Sequence, residues 1–304
     1  MPSLIPASVT SKGAFVETKN WYENFKKGFR IYMRGNLLNL LPILILMVVL
    51  VFTFLGDAFI VTHDPIEMNL ADRLKPPSAA HFFGTDEFGR DVFSRVVSGT
   101  KISLSAAAFV LVVASAIGFV VGVVSGLQGG VMDEVLMRIT DLFMAFPSMI
   151  LAIAITAALG ASLQNTLIAL TVVFWPWYAR VVRAQTLALR EREFVTASQS
   201  LGASKTHIII RHLLPNLMPI LITQLTLDVG YVILSTAGLS FLGLGAQPPT
   251  PEWGAMIMSA RQFMRESWWY TTFPGIALVT TVIGFNLLGD GLRDYLDPKM
   301  RGTI

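Results

Sequence analysis

LLNLLPILILMVVLVFTFL, running from Leu37 to Leu55, carries no charged residue. A helix needs about 20 apolar residues to cross a bilayer, and this run supplies nearly all of them at once. Secretory signal peptides have shorter apolar cores, about 7–15 residues, ahead of a small-residue cleavage site. This run is longer and follows Lys26, Lys27, Arg30 and Arg34, so it reads as an uncleaved helix that starts inside the cell. The rest of the chain agrees with it. Of 304 residues, 53% are hydrophobic and 14% are charged, with mean hydropathy +0.61. A soluble domain would carry roughly 25% charged residues.

Five more runs are candidates: Ile102–Leu127, Ile139–Leu159, Thr166–Val182, Leu217–Ala237 and Thr272–Leu288. The fold class expected is therefore all-α, a polytopic membrane protein with six transmembrane helices and both termini on one side. Lysine and arginine orient such a set, because they accumulate on the cytoplasmic side. With the N-terminus inside, sixteen fall in inner segments, among them Arg138, Arg180, Arg183, Arg190, Arg192, Lys205, Arg211 and Arg293. Seven fall outside: Arg73, Lys75, Arg90, Arg95, Lys101, Arg261 and Arg265. The pI near 9.2 follows from this membrane-flanking excess, and nucleic acid is not an expected partner. The chain has no cysteine, which excludes disulfides and thiolate metal sites.

The chain then divides into a cytoplasmic tail (1–36), the first span (37–56) and an outer loop (57–101). A five-helix core (102–292) with an inner loop at 183–213 follows, and then a cytoplasmic tail (293–304). Trp21, Tyr22, Phe25 and Phe29 recur at helical spacing, so the end of the first tail can lie along the membrane surface. A second outer segment, 238–270, is rich in turn residues (LSFLGLGAQPPTPEWG) and should fold back against the spans. Gly118, Gly122 and Gly126 stand four apart and let two helices approach closely. That helix lies either within this chain or in another subunit.

Enzymatic chemistry finds little support. LGASKT (Leu201–Thr206) resembles the end of a phosphate-binding loop, but the two glycines such a loop needs are Gln199 and Ser204 here. No cofactor is expected. His207 and His212 are five apart, which does not stack them as ligands on one helical face. His63 and His81 lie in an acidic outer loop; no metal site is expected there. No serine sits in a nucleophile elbow and no carboxylate pair suggests acid–base work.

The most informative polar stretch is EFVTASQSLGASKTHIIIRHLLPN, Glu193 to Asn216, between two spans. Phe194, Ala197, Ser198 and Leu201 follow i, i+3, i+4, i+7 spacing and share one face of a short helix. An aromatic at one end and two small residues in its middle allow that face to press closely on a partner. Gly202 suits the left-handed stop of a helix, Ser204 can cap a second one, and Pro215 suits the first turn of the next span.

TASQSLG, nine residues, then HLLP resembles the loop signature of ABC importer permeases, which reads EAA, three residues, G, nine residues, I-x-L-P. Thr196, Ala197, Ser198, Gly202, His212, Leu214 and Pro215 occupy its positions. Thr196 replaces the acid, Ser198 the second alanine and His212 the isoleucine, and an acid stands instead at Glu193. HFFGTDEFGRDVFSR, GLQGGVMDEVLMRITDLFMAFPSMIL, LSFLGLGAQPPTPEWG and GDGLRDYLDP also resemble permeases of the dipeptide/oligopeptide type, from about Asn36 to Arg301. The resemblance implies a second homologous permease subunit, two ATP-binding subunits and an extracytoplasmic substrate-binding protein. ATP is then bound and hydrolysed on the partner subunits. Glu193, Phe194, Ala197, Ser198, Leu201, Gly202, His212 and Pro215 become the ATPase-coupling residues. Di- or oligopeptides are the expected substrates, with nickel chelates, glutathione and oligosaccharides as alternatives within the same family.

Asp228 is a carboxylate near the middle of the fifth span, where one costs about 2.5–3.5 kcal/mol on insertion scales. It must face protein or water. Either it packs against a neighbouring helix or it lines the translocation pathway, and Thr223, Thr226 and Tyr231 could place further polar groups near it. A secondary transporter or channel that uses Asp228 is the rival reading; a purely structural anchor would leave the glycine break unexplained.

Overall fold

The computed structural model describes residues 40–296, so the expectations for residues 1–36, including the surface-lying aromatics, and for 297–304 lie outside the described residues. The architecture is helical, and among the described residues the only β-type pairing is one isolated bridge, Thr85 with Asp91. The helices are α1 (Leu40–Leu55), α2 (Val92–Gln128), α3 (Gly130–Met144), α4 (Ser148–Leu159) and α5 (Leu163–Arg190). They continue with α6 (Glu193–Ser200), α7 (Lys205–Ile208), α8 (Leu214–Phe241), α9 (Trp253–Ala260) and α10 (Trp268–Leu296). Helices dominate because backbone groups find no water in lipid and must bond within their own segment.

Five helical stretches are long and apolar enough to span: Leu40–Ile60, Val92–Gln128, Leu163–Arg190, Lys205–Phe241 and Trp268–Arg293. The sixth expected span, Ile139–Leu159, is not one straight helix. It is the pair α3 and α4, bent by 86°. Pro147 is the reason. It cannot donate to the helical ladder and it drives the preceding residue out of the α region, and Pro147 itself is extended (φ −58°, ψ 125°) at the start of α4. The bend is what opens the candidate site described below.

Two further boundaries differ from expectation. Residues 92–101, assigned to an outer loop, form the start of α2, capped by the Asp91 carboxylate accepting from Ser94 N at 2.8 Å. Pro215 stands in the first turn of α8, as expected, but that helix does not begin separately. α7 passes through a π turn (Ile209–Leu213) into α8, so Lys205–Phe241 is one continuous rod. In that turn Leu214 N bonds to Ile209 O, five residues back, directly before Pro215, which has no N–H to donate.

The three spaced glycines pack α2 against α5 inside this chain. A Cβ on Gly118 would stand 2.4 Å from Tyr178 Cβ; on Gly122, 2.6 Å from Ala179 O; on Gly126, 2.7 Å from Thr186 Cβ. Only hydrogen fits there. α8 packs on α10 and α2, and α1 lies outermost against α10 and α2. Most of α1 is exposed, with Pro42, Leu46 and Val49 as its buried side.

At the end of the bundle where α1 finishes, the segments 61–91 and 242–267 lock together. Asp86 accepts from Phe88 N (2.8 Å), Arg90 N (2.9 Å) and Arg90 Nε (2.6 Å). Arg95 donates to Pro65 O (2.7 Å) and Pro249 O (3.3 Å), which joins the two segments. Trp253 Nε1 donates to Val96 O and Trp269 Nε1 to Thr85 O. α9 lies on α8 so closely that a Cβ on Gly254 would meet Ala237 O at 2.2 Å. The second outer segment thus folds back on the spans, as its turn residues led us to expect.

Candidate functional site

Two places gather the residues singled out from the sequence, one just before the start of α8 and one near its middle. The first is α6. Its stop is a complete Schellman motif: Ala203 N bonds to Ser198 O at 3.1 Å and Gly202 N to Gln199 O at 2.9 Å. Gly202 sits at φ +82°, and a Cβ there would meet nothing within 4 Å. Conformation alone demands glycine at this position. Ser204 then caps α7, its Oγ accepting from His207 N at 3.2 Å.

The face expected on α6 is exposed to its surroundings. Phe194 is 44% exposed, Leu201 is 89% exposed, and Glu193 and Ala197 are exposed beside them. Val195, fully buried, anchors the helix to the rest of the chain. The helical spacing in EFVTASQSL picked out the outer face; it did not single out Val195, whose partners lie on other helices. Ser198 is half-buried because its Oγ is hydrogen-bonded to His212 Nε2 at 3.1 Å. Phe194 and His212 rings lie 5.7 Å apart between centroids. His212, in the π turn, therefore ties α6 directly to the rod that contains α8. Pro215 is exposed on that rod.

Ion pairs brace the same end of the molecule. Arg183 donates from Nε to Asp133 Oδ1 (2.6 Å) and from Nη2 to Asp133 Oδ2 (2.7 Å), linking α5 to α3. Ser125 also donates to Asp133, and Arg190 Nη1 donates to Gly126 O at 2.9 Å. α5 is thereby fixed to α2 and α3 just before the chain turns into α6.

The second place is a cavity of about 310 Å³ at the elbow between α3 and α4. Phe143, Phe146, Phe174, Trp177 and Tyr231 line it with aromatic rings, and Gln224 and Asp228 supply its polar side. Asp228 Oδ2 accepts from Tyr178 Oη at 2.6 Å, and both carboxylate oxygens accept from Gln224 Nε2, at 3.1 and 3.2 Å. Tyr231 does reach the cavity, with its Oη 3.3 Å from Ser148 Oγ. Thr223 and Thr226 do not join Asp228: they donate to Pro219 O and Ile222 O of their own helix. Neither Tyr178 nor Gln224 was read from the sequence, although Gln224, four residues before Asp228 on a helix, carried the signal.

Comparison with known proteins places these features in context. The description "binding-protein-dependent transport system inner membrane component" matches residues 118–302. The chain is 41% identical over 296 residues to a dipeptide transport system permease protein of Alkalihalophilus pseudofirmus, covering 97% of this chain and 95% of that one. It is 42% identical over 257 residues to the nickel transport system permease protein of Escherichia coli strain K12, covering 84% and 93%. Among solved structures, the inward-facing MetNI methionine ABC transporter aligns with TM-score 0.53 at 21% identity, over 67% of this chain and 98% of that chain. At that identity the likeness speaks for the fold.

Proposed function

This chain belongs to the family of binding-protein-dependent transport system inner membrane components, and from that premise we propose that α6 is its coupling helix and the α3–α4 elbow its substrate path. The protein is an ABC importer permease subunit, a multi-pass component of the inner membrane that works with other subunits and is not itself an enzyme. In the proposed assembly it pairs with a second, homologous permease. Two ATP-hydrolysing subunits bind on the α6 side, and a substrate-binding protein delivers cargo to the opposite end.

The observation that carries this reading is the exposed apolar face of α6. A leucine 89% exposed beside a half-exposed phenylalanine, on a helix whose one buried residue is Val195, calls for a partner to cover it. A groove in an ATP-hydrolysing subunit meets that need. ATP binding would close the two ATPases and draw the two coupling helices together, and that differential binding energy is what shifts the permease between states. The Ser198–His212 bond and the unbroken Lys205–Phe241 helix supply a stiff link from α6 to Asp228.

Di- or oligopeptides are the substrates this reading favours. One relative is named for dipeptide transport and another for nickel, and a carboxylate among aromatic rings suits the ammonium group of a peptide. The test is co-purification. Phe194→Glu in the full transporter is expected to reduce the ATPase recovered with the permease by about tenfold or more, corresponding to about 1.4 kcal/mol or more per interface. Full recovery of ATPase with this variant would remove α6 as the docking element.

A further inference from the structure

We propose that His63, His81 and Asp91 form a binding site for a divalent transition-metal ion at the end of the bundle opposite α6. The three residues come from separate points of the chain: His63 just after the first span, His81 from the middle of the 61–91 segment, and Asp91 from the N-cap of α2. One donor atom from each lies within 4.8 Å of the others. His81 Nδ1 is 3.0 Å and His63 Nδ1 is 4.0 Å from the same oxygen, Asp91 Oδ1. An ion held tetrahedrally at about 2.1 Å from nitrogen and oxygen ligands keeps its ligands about 3.4 Å apart. The two observed separations bracket that value, so small side-chain rotations complete the geometry.

Charge gives the independent reason. The Asp91 side chain is 1% exposed, and a carboxylate that deep must be paired or must coordinate a cation. Its Oδ2 is used by Ser94 N, which leaves Oδ1 facing the two imidazoles. Neighbouring carboxylates are treated differently: Asp86 has Arg90 and Arg95, and Asp72 has Lys75. Among the described residues no lysine or arginine lies within ion-pair distance of Asp91, where only the histidines stand. Hydrogen bonds from Ser94 N and His81, with the N-terminus of α2, offset only part of that carboxylate's charge. A divalent cation balances it.

The surroundings fit a metal as well. Asp72 Oδ2 is 3.8 Å from His81 Nε2, on the far side of the ring from Asp91. That separation is too long for a hydrogen bond; closing it by about 1 Å would let the carboxylate orient a metal-binding imidazole. The Thr62 hydroxyl, 3.1 Å from His63 Nδ1, would turn to Ser94 Oγ, 3.4 Å away, when the ion binds. His63 is 43% exposed, which leaves an entry path and room for water as a further ligand. Two imidazoles with one carboxylate favour zinc, nickel or cobalt over magnesium or calcium, which prefer all-oxygen shells. Bound there, the ion would tie the 61–91 segment to both the end of the first span and the start of α2.

The experiment uses the full chain, purified in detergent and stripped with a chelator, and follows Zn²⁺ binding by calorimetry near pH 7.5. One ion per chain is expected. His63→Gln, at an exposed position that tolerates change, should weaken binding about tenfold or more, and the His63→Gln/His81→Gln pair should abolish it. Asp72→Asn should weaken it by about tenfold, as loss of an orienting partner does. His207→Gln, in the histidine pair at the other end, should leave it unchanged. Co²⁺ bound at the site should show visible absorption that disappears in the double variant. Absence of Zn²⁺ binding up to about 100 μM, or binding that survives in the double variant, would overturn the proposal.

Discussion

Gly202 and Asp228 each hold their position for a reason that one side-chain change can isolate. At Gly202 the space is open and only the left-handed backbone is demanding. A Cβ in that conformation costs about 1–2 kcal/mol, and β-branching adds to it. Gly202→Ala is therefore expected to lower uptake in reconstituted vesicles partially, and Gly202→Val to below about a tenth, while both insert normally. Near-normal ATP-driven uptake with Gly202→Val would mean that the α6 stop does not transmit motion. At Asp228 the carboxylate accepts from Tyr178 and Gln224, and asparagine keeps its size while removing the charge. Loss of a charged hydrogen bond is worth about 1.5–3 kcal/mol, so Asp228→Asn should cut uptake of cationic substrates about tenfold or more and spare neutral ones. Equal uptake of both classes would take the charge out of the pathway; uptake without any ATPase but requiring a proton gradient would overturn the transport mechanism itself. Asp228 was legible in the sequence as a carboxylate inside an apolar run. Tyr178 was not, because it stands fifty positions away and only the packing of α5 on α8 brings its hydroxyl to the carboxylate.

Helix against helix, the decisive contact is the glycine ridge of α2 on α5. The sequence showed the spacing of Gly118, Gly122 and Gly126 but left open which helix it served. The distances from Gly122 to Ala179 O and Val182 Cβ identify α5. Gly122→Leu should then lower the stability of the isolated, detergent-solubilised chain by about 1–3 kcal/mol, as overpacking does, read as a fall in its melting temperature. If the ridge instead served a partner subunit, the isolated chain would melt unchanged and only assembly would fail. Length and apolarity made the spans legible, since few other structures need so many apolar residues in a row. Their irregularities were harder to read. Pro147 lies inside the Ile139–Leu159 run, and its apolar neighbours hid the elbow that it creates. Pro215 does stand in the first turn of its helix, yet the π turn just before it joins that helix to the preceding one. In both cases the outcome depends on what surrounds the proline, and hydropathy does not record that.

The whole molecule presents two unlike ends. One carries α6 with its exposed apolar face and the arginine-braced junction of α2, α3 and α5; the other carries the interlocked 61–91 and 242–267 segments with their buried ion pairs. From the lysine and arginine excess we propose that the first faces the cytoplasm, where positive residues are retained. That orientation is required if α6 meets ATP-hydrolysing subunits and the opposite end meets a delivered substrate. It is also directly measurable, because the native chain contains no cysteine to give background. Ser200→Cys, exposed at the end of α6, should resist a membrane-impermeant maleimide in intact spheroplasts and react once the membrane is permeabilised. Glu67→Cys, exposed in the opposite segment, should react without permeabilisation. Labelling of Ser200→Cys from outside would invert the orientation, place α6 away from any source of ATP, and leave its apolar face without the partner proposed for it.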